Sequence, residues 1–478
     1  MLFNSYAFIF GFLPLTLAAY CLLGQRVSPR AALLWLTVAS LFFYGWWDPA
    51  YLALLGASIL FNFSIGLLLT RASQQSRPSR GPLLAFGVMA NLGLLGYYKY
   101  SEFFSANLAA LTGFDLQLQA VILPLGISFY TFTQIAYLVD AARGEAEEYN
   151  PMSYCLFVTF FPHLIAGPII HHRRVMPQFT DPAIFRFNHT NFAVGITFFA
   201  IGLFKKVVFA DTLATYSSPV FAAAADGVSL SALEAWTGAL AYTLQLYFDF
   251  SGYSDMAVGL SRMFGIVLPF NFNSPYQAVN IIDFWRRWHM SLSAFLRVYL
   301  YFSLGGNRLG KLRRYLNLLV TMLLGGLWHG AGWTFVVWGA LHGGYLVVNH
   351  AWHALRAQVG FPLGSGTAWG RGIARLFTLL AVIVGWVFFR AENIDAALQL
   401  LAAMGGGNGL MGPETPEQLA VARLTAWPSI ADIAMFLLAV DHWLIIGGTL
   451  LLALFAPNSQ EWVIGRQTKF PRWRPSPF

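Results

Sequence analysis

The segment GGLWHGAGWTF, residues 325–335, places an ionisable side chain, His329, inside a long apolar run. The run extends from about residue 316 to residue 349, which is long enough for two membrane crossings or for a bent pair of helices. GxxxG pairs let the backbones of neighbouring helices approach closely, and this run contains two of them, Gly326 with Gly330 and Gly339 with Gly343. The segment therefore predicts two tightly packed membrane helices that hold a histidine ring in place.

The composition of the whole chain agrees with a membrane location. Hydrophobic residues make up 57% of the 478 residues and charged residues only 10%, so a water-soluble fold of this size would lack polar surface. A spanning helix needs roughly 20 apolar residues, and we find about eleven candidate stretches, near residues 5–24, 31–47, 50–69, 82–98, 121–139, 151–170, 192–210, 232–248, 316–349 (long enough for two), 372–389 and 431–456. We expect an all-α polytopic membrane protein in which residues 1–478 form one membrane domain.

The distribution of basic residues predicts the orientation of the chain. The loops QRVSPR (25–30) and RASQQSRPSR (71–80) both lie in the cytoplasm if the N-terminus starts outside, and the basic tail RQTKFPRWR (466–474) predicts a cytoplasmic C-terminus. The first segment lacks the basic start and the cleavage site of a signal peptide, so we expect it to remain as a helix. We interpret the net charge of +8 as positive-inside topology with contact to membrane lipids, and we expect no nucleic-acid partner.

Two parts of the chain do not resemble ordinary spans or loops. Residues 151–170 contain proline and glycine at membrane depth, which is tolerated where irregular backbone is buried in protein or lines a wet cavity, so we expect a broken or re-entrant helix. The segments HHRRVMPQF (171–179) and 284–314 combine basic with aromatic residues. That composition predicts helices that lie along the membrane interface or dip partway into it.

Ionisable residues at membrane depth are costly and usually mark a functional site. Those that we find in this chain are His163, Asp249, Asp255, His289, His329, His342 and Asp441. For the histidines, a hydrogen bond to a neighbouring helix is an alternative explanation. Asp249 and Asp255 are expected either to line a tunnel or to cap helices, and Trp328 and Trp333 flank His329 and could form the wall of a cavity.

The segment FWRRWHMSL has the residues of a phosphate-binding surface. Arginine presents a planar fork that suits phosphate, and tryptophan favours the headgroup level of the membrane. Trp285, Arg286 and Arg287 could therefore bind a cytoplasmic ligand that carries phosphate groups. An interfacial anchor that binds lipid headgroups would use the same residues.

The chemistry available to these residues is narrow. Cys21 and Cys155 sit in apolar surroundings and predict inert packing, and we expect neither a metal nor a resident cofactor. Histidine is the commonest general base, and it can remove a proton from a hydroxyl group that attacks an activated acyl group. A thioester donor already carries a good leaving group, so no covalent acyl-enzyme is required.

Seven motifs in order resemble the membrane-bound O-acyltransferase (MBOAT) superfamily. They run from about residue 120 to residue 345. The chain resembles the alginate O-acetyltransferase (AlgI) branch, and its N-terminal MLFNSYAFIFGFLPL is also similar to the start of AlgI. The D-alanyl transfer protein DltB is a nearer relative of this chain than the eukaryotic members of the superfamily are. The motifs are LPLGISFYTF (123–132), FPHLIAGPI (161–169), GYSDMAVGLSRMFG (252–265), NFNSPY (271–276), DFWRRWHMSLS (283–293), LGGNR (304–308) and GLWHGAGWTFVVWGALHG (326–343).

The resemblance implies a ring of transmembrane helices around a thinned centre with a tunnel. It makes His329 the family's catalytic histidine and general base, and His289 the assistant that orients or polarises. It implies acetyl-CoA from the cytosol as the donor substrate, and Arg286 and Arg287 as candidate contacts for the donor phosphates.

The resemblance also implies a cellular role. In this branch the acetyl group passes across the bacterial inner membrane to a periplasmic partner, often SGNH-hydrolase-like, that decorates a secreted polysaccharide such as alginate or acetylated cellulose. Residues from about 390 onward carry no diagnostic motif, so the acceptor stays open. The alternatives are a transporter or flippase, although we find no internal repeat, and a non-catalytic scaffold of a polysaccharide secretion complex.

Overall fold

The computed structural model describes residues 1–75, 80–114, 121–146, 150–360, 367–410 and 430–465, and for 430–441 it describes the backbone alone. Within these ranges the chain forms helices and turns and contains no strand. The all-α class predicted from the sequence is confirmed.

Up to residue 143, the part of the chain that the structure describes forms six α-helices. Ser28 begins the second of them, because its side chain accepts a hydrogen bond from the Ala31 N–H and Pro29 fits the first helical position. The sixth ends at Gly144, whose φ of +73° is a left-handed conformation that glycine adopts without strain. These helices are α1 (Leu13–Arg26), α2 (Pro29–Gly45), α3 (Ala50–Gln74), α4 (Arg80–Leu95), α5 (Ser101–Thr112) and α6 (Ile127–Arg143).

The expected break in residues 151–170 is confirmed. Phe160 leaves the helical conformation, with φ −47° and ψ 106°, and divides this stretch into two short helices before the chain becomes irregular. The basic segment that follows forms another short helix with Pro177 inside it. The three helices are α7 (Pro151–Thr159), α8 (Phe161–Leu164) and α9 (His172–Phe179), and the 3₁₀ turn Pro182–Phe185 follows them.

The rest of the chain contains the longest helices. A capping box of Ser231 and Glu234 begins a helix of 32 residues, α12, that runs through the motif GYSDM. The aromatic and basic segment near residue 289 is divided into short helices. The helices are α10 (His189–Phe204), α11 (Asp211–Ala225), α12 (Ala232–Met263), α13 (Ile281–Trp285), α14 (Met290–Phe295), α15 (Lys311–His329), α16 (Trp333–Gln358), α17 (Ala368–Arg390), α18 (Ile394–Met404) and α19 (Ile430–Phe455).

Several helices continue into wider π-helical turns. One such turn, Gly96–Tyr100, joins α4 to α5, a second, Lys205–Ala210, joins α10 to α11, and a third, Leu296–Tyr301, extends α14. Others are Ala7–Phe12, before α1, and Glu461–Gly465. π-helical turns are rare and occur frequently at functional sites.

Five helical stretches among the described residues are long and apolar enough to cross a membrane. They are Ala7–Arg26, Ala50–Gln74, Arg80–Thr112, His189–Ala225 and Ala368–Arg390. Other apolar stretches form shorter helices, such as α2 and α6 with 17 residues each. The chain is therefore a multi-pass membrane protein, whereas the predicted number of about eleven spans is not confirmed.

Glycines allow close approach of the helix backbones around α15 and α16. A Cβ added to Gly339 of α16 would lie 2.5 Å from the Met322 carbonyl oxygen of α15, and one added to Gly326 would meet the backbone of Phe335 and Gly339. The close packing predicted from the GxxxG pairs is confirmed for Gly326 and Gly339. The apolar run 316–349 is thus divided between two helices, α15 and α16, joined by the short turn 330–332.

The buried apolar residues form two large clusters. The first is formed mainly by α1–α4 and α6–α10 with the C-terminal part of α12, and the second by α11, α13 and α15–α19 with the N-terminal part of α12. A small third cluster joins α6 and α14 to Trp328 near the end of α15. Trp288 belongs to the second cluster and Trp328 to the third, and each directly precedes a histidine, His289 and His329.

Candidate active site

His329 is the last residue of α15 and lies at the end of a helix rather than within one. The chain turns away through Gly330, which is extended at φ −161°, before α16 begins. Three aromatic rings meet the imidazole edge to face, with centroid distances of 4.8 Å to Trp328, 5.1 Å to Trp338 and 5.0 Å to Phe389. The ring is thereby fixed while part of its surface stays accessible.

His289 immediately precedes α14 and adopts a backbone conformation unusual for its residue type. Its φ of +40° lies in the left-handed region, which costs a non-glycine residue on the order of 1–3 kcal/mol and persists only where the surroundings impose it. Hydrogen bonds on both sides impose it here. The Asn273 N–H donates to the Arg287 carbonyl at 2.9 Å, and the Met290 N–H donates to the Asn271 carbonyl at 2.9 Å.

The motif NFNSPY therefore acts as a brace for the motif that contains His289. The backbone carbonyl of Asn271 accepts the hydrogen bond from Met290. Its side chain accepts another from the Ser291 hydroxyl at 2.6 Å and donates one to the Ser254 hydroxyl at 3.1 Å. These contacts tie the start of α14 to α12. Two motifs that are separate in the sequence thus build one rigid element.

His289 and His329 line the same cavity, which we call the histidine cavity. It has a volume of about 660 Å³, and its wall also contains Trp288, Trp328 and Phe250. The wall also includes Leu2 and Leu123, which are 64% and 48% exposed. The cavity therefore connects both imidazoles to the surface of the molecule. Its charged wall residues are Lys99, Lys206, Asp211 and Asp249.

The imidazole nitrogens in this cavity have no partners in the part of the chain that the structure describes. Both ring nitrogens of His289 are buried and lack a hydrogen bond, and the ring packs edge to face on Phe250 at 4.7 Å. No hydrogen bond to the described residues involves the ring of His329 either. Buried polar atoms are normally paired, so the nitrogens of His289 are free to bind a molecule that enters the cavity.

A second cavity, which we call the arginine cavity, lies on the other side of the same motif. Its volume is about 290 Å³, and its wall contains Trp285, Arg286, Arg297, Asn307, Arg314 and His350. Arg286 and Arg297 have no carboxylate partner among the described residues. The motif FWRRWHMSL thus presents Trp285 and Arg286 to one cavity and Trp288 and His289 to the other.

An aromatic partition lies between the arginine cavity and His329. The Trp285 ring contacts the Trp338 ring at 5.8 Å, and Trp338 contacts His329 at 5.1 Å. His342 lies within the partition, fully buried, with no hydrogen bond to either ring nitrogen among the described residues. It faces Trp285 at 5.3 Å and lines neither cavity.

Three side chains predicted to line the site lie elsewhere. Asp255 is buried in an ion pair with Lys205 at 2.7 Å and accepts a hydrogen bond from Ser459 at 2.6 Å, so it joins helices instead of lining the cavity. Trp333 is 55% exposed and donates to the Asn107 side chain at 2.8 Å, because it begins α16 beyond the turn. Arg287 binds Asp283 at 2.9 Å and braces the backbone of Asn273.

The remaining predicted residues divide between the site and the packing of the fold. Asp249 and Trp328 line the histidine cavity, and Asp249 forms an ion pair with Lys206 at 2.5 Å. His163 is buried, and its Nε2 forms a hydrogen bond with the Phe157 carbonyl at 3.0 Å. This bond to the neighbouring helix α7 is the alternative explanation given above for a histidine at membrane depth. The side chain of Asp441 and the basic tail 466–474 lie outside the described residues.

Sequence reasoning missed the lysines of the site. Lys99 and Lys206 line the histidine cavity, and both lie within stretches long enough to cross the membrane. Lys99 follows the apolar stretch 82–98 and therefore resembles the flank of a span, and Lys206 resembles an ordinary pair with Lys205. The signal that could have found them is the continuation of apolar sequence on the far side of each lysine.

Comparison with known proteins places this geometry in context. The model of the membrane-bound O-acyltransferase family matches residues 83–387. The chain is 44% identical over 438 residues to a peptidoglycan O-acetyltransferase of Helicobacter pylori, covering 86% of this chain and 81% of that protein. It is 44% identical over 412 residues to a probable alginate O-acetylase AlgI of Pseudomonas aeruginosa, covering 84% and 75%. A teichoic acid D-alanyltransferase of Streptococcus thermophilus is 26% identical over 280 residues, covering 55% and 68%.

Proposed function

The chain belongs to the membrane-bound O-acyltransferase family and is a multi-pass acyltransferase, and on that premise we propose that it transfers an acetyl group from cytosolic acetyl-CoA to a hydroxyl group on the outer side of the bacterial inner membrane. The observation that carries the proposal is the placement of two imidazoles on one cavity that reaches the surface, with the buried nitrogens of His289 unpartnered. An acyl transfer to an alcohol needs a base at such a point.

His329 acts as the general base in this proposal. It takes the proton of the acceptor hydroxyl as the oxygen attacks the thioester carbonyl, and it returns the proton to the leaving thiolate. His289, held rigidly by the Asn271 brace, orients or polarises one of the reactants. General-base catalysis of this kind contributes roughly 10²- to 10⁴-fold.

The arginine cavity is the proposed entrance for the donor. Its three arginines supply cationic hydrogen-bond donors for the phosphates of acetyl-CoA. They lie near the basic start of α15, which the positive-inside rule assigns to the cytoplasm. Arg314 precedes His329 on α15 by a rise of about 22 Å, so in this proposal the phosphates bind nearer the cytoplasmic end of α15 than the base does. The two cavities are the two ends of the predicted tunnel, and the partition of Trp285 and Trp338 opens when the thioester arrives.

The acceptor in this proposal carries its hydroxyl group into the histidine cavity from outside the cytoplasm. The wall residues Leu2 and Leu123 belong to segments that the same rule places outside. Relatives named for alginate and for peptidoglycan indicate a secreted or cell-wall polysaccharide as the final substrate, and a periplasmic SGNH-like protein is the proposed intermediary. Peptidoglycan was not among the polymers that the sequence alone indicated.

The test uses the full-length protein in lipid nanodiscs with acetyl-CoA labelled on the acetyl carbon. Mannuronate oligomers and muropeptides serve as acceptor probes, and thiol release and labelled ester are both measured. His329→Ala is expected to remove both signals while the protein inserts normally and unfolds at the wild-type temperature. Full activity in this variant would exclude the mechanism.

The matched control is His163→Ala, because His163 is a buried histidine of the same membrane domain that lines neither cavity. Its loss is expected to lower thermal stability and to leave the chemical step intact in the folded fraction. A transporter or a scaffold would show no thiol release dependent on His329, so the same assay separates these alternatives from the enzyme.

A further inference from the structure

Lys99 is a cation within a helical stretch long and apolar enough to cross a membrane, and it has no carboxylate partner among the described residues. It lies in the crossing stretch Arg80–Thr112 and lines the histidine cavity. The two lysines of the candidate crossing stretch His189–Ala225 are paired, Lys205 with Asp255 and Lys206 with Asp249. A charged side chain at membrane depth costs at least about 2.5 kcal/mol, so an unpaired one requires a compensating role.

The contacts of Lys99 place its ammonium group beside His329. Its Nζ donates to the carbonyl oxygen of Trp328, the residue immediately before His329, and to the Ser128 hydroxyl at 3.2 Å. The Trp328 carbonyl belongs to the last turn of α15, where the helix dipole is negative and carbonyls lack helical partners. An ammonium group has three N–H donors, so one remains for a molecule in the cavity.

The neighbouring residue holds the same helix end without a charge. The Tyr100 hydroxyl donates to the Leu327 carbonyl at 2.5 Å, and Tyr100 does not line the histidine cavity. Anchoring of α15 is therefore shared between two adjacent residues. Because the uncharged Tyr100 makes an equivalent contact, anchoring α15 does not require a charged side chain at Lys99.

The local backbone supports a functional role for this position. Lys99 lies in the π-helical turn Gly96–Tyr100, and the turns Lys205–Ala210 and Leu296–Tyr301 likewise place Lys206 and Arg297 on the walls of the two cavities. π-helical turns occur frequently at functional sites. Three such turns therefore present cationic side chains to the two cavities.

We propose that Lys99 is a catalytic residue that donates its third ammonium hydrogen to the carbonyl oxygen of the thioester while that oxygen carries negative charge. The inference rests on the proposed function, because it needs a thioester donor and an alcohol acceptor. It assigns the oxyanion-stabilising role in the site to a side chain about 230 residues before the proposed base.

The step balances as follows. His329 removes the hydroxyl proton, the oxygen forms a bond to the carbonyl carbon, and the carbonyl π electrons move to the oxygen that Lys99 holds. Collapse of this intermediate restores the carbonyl, breaks the carbon–sulfur bond and releases the thiolate, which takes the proton from the imidazolium of His329. Lys99 keeps all its protons, and it stabilises the charge by a hydrogen bond in a cavity of low polarity.

The experiment compares Lys99→Gln, Lys99→Arg and Tyr100→Phe in full-length protein in nanodiscs, with the thiol-release assay and thermal unfolding. Glutamine keeps an N–H donor for the Trp328 carbonyl but removes the charge, arginine keeps the charge, and Tyr100→Phe removes only an anchor. We expect Lys99→Gln to lower kcat by about 100- to 1000-fold with unchanged KM for acetyl-CoA. Arginine should recover part of kcat, and Tyr100→Phe should lose far less than Lys99→Gln.

The outcome that overturns the inference is a Lys99→Gln enzyme with wild-type kcat, or one whose loss equals that of Tyr100→Phe at equal thermal stability. Either result reduces Lys99 to an anchor of α15. If His329→Ala is inactive while Lys99→Gln is normal, only the role of Lys99 fails. If His329→Ala is fully active, the proposed function itself fails.

Discussion

Gly339→Ala tests whether the close contact between α15 and α16 positions the catalytic histidine. The added Cβ would lie 2.5 Å from the Met322 carbonyl oxygen, about 0.9 Å closer than the 3.4 Å at which ordinary van der Waals contact begins. Its next neighbours, the Leu323 Cα at 3.0 Å and the Met322 carbonyl carbon at 3.1 Å, are also backbone atoms, so no side chain can rotate to make room. The helices must separate instead.

The separation has two expected consequences. Overpacking of this kind costs about 1–3 kcal/mol of stability, and a displacement approaching 1 Å of the helix that ends at His329 is expected to lower kcat by about 100-fold. Thermal unfolding in nanodiscs measures the first effect, and thiol release from acetyl-CoA measures the second.

The matched control for this prediction is Gly344→Ala on the same helix, where an added Cβ meets no atom within 4 Å. Alanine also favours helix over glycine by about 1 kcal/mol, so this variant should be at least as stable as the wild type and equally active. Equal unfolding temperature and equal kcat in Gly339→Ala and Gly344→Ala would refute the argument from backbone contact.

Two further predictions concern the segment around His289. Asn271→Ala should destabilise the fold by about 1–3 kcal/mol, because the buried polar groups of Ser254 and Ser291 lose their partner. It should also lower kcat, because the backbone of His289 is released. A variant with the wild-type unfolding temperature and the wild-type kcat would contradict the bracing role of Asn271. Arg286→Ala should raise KM for acetyl-CoA about tenfold, equivalent to ~1.4 kcal/mol, with an effect that shrinks at high salt, whereas Arg287→Ala should lower the unfolding temperature. If both variants have the same KM for acetyl-CoA and salt does not change it, Arg286 is an anchor for lipid headgroups and not a contact of the donor.

The sequence determined the class of the fold because each membrane-spanning helix requires a long run of apolar residues. A bilayer leaves backbone groups no partner outside the helix, so composition alone predicted an all-α membrane protein. Proline and glycine in residues 151–170 predicted a broken helix, which the structure breaks at Phe160, and the GxxxG pairs predicted close packing of the kind seen between Gly326 and α16. The two histidines stood out because ionisable groups are rare at this depth.

The tertiary structure decided which of the polar residues face the cavities. Nothing local distinguishes Asp249 from Asp255 in the motif YFDFSGYSDM. The first lines the histidine cavity, and the second is buried against Lys205, because six residues along a helix turn the side chain to a different face. Arg286 and Arg287 are neighbours in the sequence, but only Arg286 faces the arginine cavity, since Arg287 pairs with Asp283.

The left-handed backbone of His289 and the ammonium contact of Lys99 also needed the folded chain. The conformation of His289 is imposed by Asn271 and Asn273, and the position of Lys99 beside His329 joins residues more than 200 apart. Local sequence records apolar periodicity and breaks, which depend on neighbours along the chain. It does not record which distant backbone carbonyl meets a given side chain, because that depends on how whole helices pack.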